Sequence, residues 1–227
     1  MPPIPPLPST QESLQQVSEL LGLPAIVALY ACLVLVVALR DWRLVVAAFM
    51  GLSILQAVIA ATIIPSEWAL LRVIVGGMIA IMWYLSAQRA GWGGRFLPFR
   101  PSGGVQARPL SSTTIFRLLL SLALALTLVV TRPRLPLPDL PSDVRLAATW
   151  LIAFALLGLA MGEEALQTGV ALLLALAATH LVMDALQPRA ELIWLLSSVE
   201  LLVGLATAYL MVARGSAVSA QSNEEGA

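Results

Sequence analysis

Runs of about twenty apolar residues recur along this chain, separated by short stretches of Arg, Pro, Gly and Ser. A helix of that length rises far enough to cross ~30 Å of hydrocarbon at ~1.5 Å per residue. Charged residues make up 11% of the 227 positions, whereas a soluble domain carries about 25% because it must also clothe a wet surface. The sequence therefore predicts an all-α fold, a polytopic membrane helical bundle of about seven transmembrane helices.

The spans fall at 22–40, 43–64, 67–88, 114–131, 146–161, 165–187 and 190–213. Residues 1–21 form a Pro-rich and polar N-terminal tail, residues 22–88 the first three spans, and 89–113 a long loop. Spans four to seven occupy 114–213, and a disordered tail of Gly, Ser, Ala, Gln and Glu follows at 214–227. The connections at Gly162-Glu163-Glu164 and Gln187-Pro188-Arg189 are short. Spans five to seven are thus expected to be antiparallel neighbours.

Arginine alone supplies the basic charge, a composition associated with GC-rich bacterial genomes. Counted on alternating sides, seven arginines (40, 43, 89, 95, 100, 108, 214) face four (132, 134, 145, 189). The positive-inside rule then puts the long loop and the C-terminus in the cytoplasm and the N-terminus outside, in a bacterial inner membrane. Zero net charge gives no electrostatic case for nucleic acid. One cysteine, Cys32, and one histidine supply neither a disulfide nor a zinc, haem or iron–sulfur ligand set. No cofactor or metal is expected.

Function must then be sought in the charges left inside the spans. Glu200 sits mid-span in the last helix, roughly 15 Å from either interface. A charge there costs about 2.5–3.5 kcal/mol on insertion scales, so the carboxyl should face protein or water. It is a candidate proton carrier, or else a structural hydrogen-bonding group. His180 and Asp184 lie one turn apart in the sixth span, on one face, where an imidazole and a carboxylate can share a proton; the alternatives are an interfacial Asp184 near the span's end and a His180 that hydrogen-bonds a backbone carbonyl. Arg72, in the third span, is expected to snorkel or to pair loosely with Glu67. Gln56 reads as interhelical glue and Arg117 as an end anchor. Small residues such as Gly76-Gly77 and Gly204 permit close helix packing within the chain or against partner subunits.

Three short stretches near the end of the chain form a further pattern: Thr179-His180-Leu181-Val182, Ala190-Glu191-Leu192, and Glu200 fourteen residues before Arg214. On these residues, over about 165–214, the chain resembles a family of small membrane subunits of complex I-related machines. The resemblance extends to Trp42-Arg43-Leu44 and to the basic residue Arg72. The family comprises subunit K of NADH:quinone oxidoreductase, the C component of Mrp-type antiporters and component E of group-four membrane-bound hydrogenases. Component E is the nearest of these in length and span number. The resemblance implies an acidic residue at the Glu200 position and a second carboxylate one turn before the histidine. Leu176 stands at that second position, so Asp184 either substitutes for it or part of the path is lost.

What the resemblance implies is a non-catalytic subunit of a multi-subunit respiratory complex in the lipid bilayer. It would help translocate protons (or sodium) through Glu200, His180 and Asp184, with Arg72 tuning them electrostatically. The alternatives are a structural or assembly subunit without ion conduction, or a stand-alone small-solute transporter. The transporter ranks lower because no repeat and no Gly/Pro-broken midplane helix is visible. An intramembrane enzyme ranks lowest, since no catalytic set sits at suitable depth.

Overall fold

A computed structural model of the chain describes residues 27–39, 41–90, 92, 112–131, 133 and 141–224, with backbone alone at 112–113 and 217–224. Among the described residues there are seven helices: α1 (Val27–Ala38), α2 (Trp42–Ala60), α3 (Ser66–Arg89), α4 (Ser112–Thr131), α5 (Ser142–Met161), α6 (Ala165–Leu186) and α7 (Ala190–Glu224). All but α1 are long and apolar enough to cross a membrane. The chain is an all-helical membrane bundle. The N-terminal tail, the start of the first span at 22–26, most of the long loop and the Pro-rich link at 134–140 lie outside the described residues.

Local chemistry sets the helix ends. Asp41 caps α2 by accepting a hydrogen bond from the Arg43 N–H at 3.0 Å. The same helix stops at Ala60, short of the expected 64, because Pro65 bars continuation and three turn residues intervene. There Thr62 Oγ1 donates to the Ile59 carbonyl at 2.7 Å. Helix α5 begins at Ser142 rather than 146, taking Asp143 and Arg145 into its first turn, where Asp143 complements the helix dipole.

The largest departure is at the C-terminus. Helix α7 continues to Glu224, so the disordered tail expected from 214 is corrected to helix through that residue. Its Ser- and Ala-containing sequence extends a helix that is already nucleated, and propagation costs far less than nucleation.

Helices α2, α3, α6 and α7 pack closely, and α5 lies along α6. Aromatic contacts lock this arrangement. Phe49 meets Trp83 at 5.0 Å between ring centroids, joining α2 to α3. The Trp83 indole N–H donates to the Gly204 carbonyl at 3.0 Å, joining α3 to α7. Tyr30 sits edge-on to Trp150 at 4.8 Å, joining α1 to α5. Helix α6 is the most enclosed of the spans, with 56% of its apolar window buried, against 22% for α4. Large apolar side chains such as Ile81, Leu126, Leu202 and Tyr209 face outward. In water such a surface would drive association, whereas in a bilayer it matches its solvent.

A buried charge cluster as the candidate functional site

Backbone direction explains how four distant residues converge. Side chains tilt toward the N-terminus of their own helix. Helices α3 and α7 begin at the end of the bundle where α6 finishes, so Arg72 and Glu200 lean toward that end. His180 and Asp184, on α6, lean away from it. The two pairs meet.

The Arg72 guanidinium hydrogen-bonds the Asp184 carboxylate as a salt bridge, with side-chain exposures of 4% and 2%. The expected snorkelling of Arg72, or its pairing with Glu67, is therefore corrected. Asp184, expected to be as much an interfacial residue as a functional one, is sealed inside the bundle. One turn deeper, His180 Nδ1 lies 2.9 Å from Glu200 Oε1, with the imidazole 1% and the carboxyl 14% exposed. Glu200 also stands within electrostatic reach of both Arg72 and Asp184. All four residues singled out in the sequence thus belong to one cluster spanning α3, α6 and α7.

A cavity of about 20 Å³ adjoins the cluster, lined by Ser53, Gln56, Arg72, Gly76, Leu173 and Glu200 among others. That is room for about one water molecule. Gln56, read from the sequence as interhelical glue, presents its amide chain to the same space. Among the described residues His180 Nε2, Arg72 Nε and Nη1, and Ser197 Oγ are buried without a hydrogen-bond partner. Such groups are normally satisfied, so the cluster has unused donor and acceptor capacity.

Charge balance limits what the cluster can hold. Arg72 and Asp184 cancel. The His180–Glu200 pair is neutral when it carries one dissociable proton, either as imidazolium and carboxylate or as imidazole and carboxylic acid. Removing that proton or adding another leaves a net charge in a medium of low dielectric constant. The 2.9 Å contact puts the two groups at a distance over which a proton can pass between them. Among the described residues no three His, Cys, Asp or Glu side chains gather at metal-ligand spacing.

Sequence reasoning missed Arg117 as more than an end anchor. It is 4% exposed, and its guanidinium donates to the Met161 carbonyl at the end of α5 at 2.9 Å. Its depth, more than a turn inside α4, was the available signal. Comparison with protein-family models, with curated proteins and with solved structures found no match to this chain.

Proposed function

We propose that this chain is a non-catalytic membrane subunit of a complex I-like or hydrogenase-type complex, and that it helps move protons (or sodium) through its buried cluster. The observation that carries this reading is the His180 Nδ1–Glu200 Oε1 contact of 2.9 Å, held inside the bundle beside a polar cavity. Glu200 takes up a proton from the cavity side. It passes the proton to His180 Nδ1, and the imidazolium releases one from Nε2 to water between the helices, on the way to Asp184. A tautomer exchange of the ring then restores the starting state. Arg72, paired with Asp184 but also within electrostatic reach of Glu200, lessens the cost of the net negative charge present between protons. No step forms or breaks a covalent bond other than those to the proton.

A second reading, a structural subunit whose charges only hold helices together, is favoured by the near-complete sealing of the Arg72–Asp184 pair. One substitution separates the two. In Glu200→Gln shape and hydrogen bonding survive but titration does not. The full chain would be reconstituted into liposomes containing a pH dye, with a potassium diffusion potential as driving force. Wild type is expected to acidify the lumen several-fold faster than protein-free vesicles, and Glu200→Gln to fall to the protein-free rate with unchanged helix content. Wild-type flux in Glu200→Gln overturns the relay. Loss of insertion in that variant, with no flux in wild type, supports the structural reading.

A further inference from the structure

The relay cavity is not the only small polar space in the bundle. Toward the other end, a cavity of about 10 Å³ is lined by Arg117, Gly158, Met161, Gln167, Val170 and Leu174, among others. Its polar groups come from two helices. Arg117 reaches in from α4 and donates to the Met161 carbonyl, and its guanidinium lies 3.7 Å from the Glu163 carboxylate. Gln167, on the first turn of α6, buries a side-chain oxygen that has no partner among the described residues. The space is about the size of one water molecule and offers that water both donors and an acceptor.

Leu174 lines this cavity and also the one beside Glu200 and Arg72. It is 1% exposed and stands near the middle of α6. On one side of its isobutyl group lies the pocket of Arg117 and Gln167, with Gln167 about 10 Å back along α6 at ~1.5 Å per residue. On the other lies the Glu200 carboxyl. Apolar constrictions of this kind block ions and protons by excluding water, and open when they wet.

We infer that Leu174 is a hydrophobic gate, and that the Arg117–Gln167 pocket is the second half of the proton path, connecting the Glu200 relay to the end of the bundle where α4 begins. The inference rests on the relay reading of Glu200 and His180. Arg117 and Gln167 then stabilise water on the side of the gate away from Glu200. Leu151, on α5, supplies an internal control: it is as fully buried as Leu174 and lines neither cavity.

The test uses the full chain in liposomes under the same potassium diffusion potential, without sodium. Leu174→Ala is expected to raise proton flux ten-fold or more over wild type, and Leu151→Ala, the same loss of volume, to leave it unchanged. Adding Glu200→Gln to Leu174→Ala should return flux to the protein-free rate, and adding Gln167→Leu should lower it several-fold. If Leu174→Ala does not insert, Leu174→Asn and Leu151→Asn, close to leucine in volume, replace the pair with the same expected order. Equal flux in the Leu174 and Leu151 variants overturns the gate while leaving the Glu200 relay standing, provided Glu200→Gln alone still lowers wild-type flux. Raised flux that ignores Gln167→Leu overturns the Arg117–Gln167 half of the path. Raised flux that persists with Glu200→Gln overturns the relay and the inference together.

Discussion

Arg72 and Asp184 illustrate what a bilayer does to a single residue. Each alone would be an uncompensated charge in a dry interior, and together they are a sealed pair. Removing one partner of a buried pair costs about 3–5 kcal/mol, whereas replacing both by apolar groups is often neutral. Asp184→Ala is therefore expected to lower the melting temperature in detergent markedly, and Arg72→Met with Asp184→Leu to recover most of it. A double variant no more stable than Asp184→Ala would refute the charge-compensation account. That these charges fall within apolar runs was legible in the sequence, but their burial and their partnership were not. Nothing local to Arg72 says that α3 packs against the same stretch of α7 that α6 contacts. His180 and Glu200 were easier, because a tight turn places the end of α6 beside the start of α7, and residues flanking such a turn oppose each other.

At the scale of the helices, small residues set the distances on which the cluster depends. A side-chain carbon added at Gly169 would overlap Thr207 on α7, and one added at Gly76 would overlap Ser53 on α2. Gly169→Val should thus force α6 and α7 apart, at a cost of about 1–3 kcal/mol typical of overpacking. Its expected effects are a lower melting temperature and a weakened His180–Glu200 contact. Gly169→Ala combined with Thr207→Gly, which moves the contacting β-carbon from one helix to the other, should be close to wild type by thermal melting; equal loss in both variants would show that the steric fit is not the cause. That these glycines allow close packing was readable from composition. Which helix each one admits was not, since short apolar helices carry little information about their neighbours. The helix ends were read to within a few residues, except where a helix outlived its apolar run. At 35 residues α7 is about 52 Å long, well beyond ~30 Å of hydrocarbon.

The whole molecule is uneven. Helix α6 is wrapped by α2, α5 and α7, while α4 touches little and keeps Phe116, Leu119, Leu126 and Val130 outward. The bundle architecture followed from the length of the apolar runs. Orientation rests on arginine counts alone, seven against four, and it is open to direct measurement. A fluorescent protein that matures only in the cytoplasm is expected to light up when fused after Ala227 and to stay dark when fused before Met1. The reverse result would place the Asp184 end of the cluster, rather than the Arg117 end, toward the cytoplasm.

The proton step proposed between His180 and Glu200 has a consequence for how the cluster would respond to voltage. Moving one elementary charge across the whole membrane is worth about 2.3 kcal/mol per 100 mV. The His180–Glu200 step covers 2.9 Å, at most about a tenth of ~30 Å of hydrocarbon. A potential of 100 mV therefore biases that step by only about 0.2 kcal/mol, or roughly one and a half-fold in rate. The membrane field acts mainly on the longer legs to either side, so within the pair local charge and hydration, not voltage, decide where the proton resides.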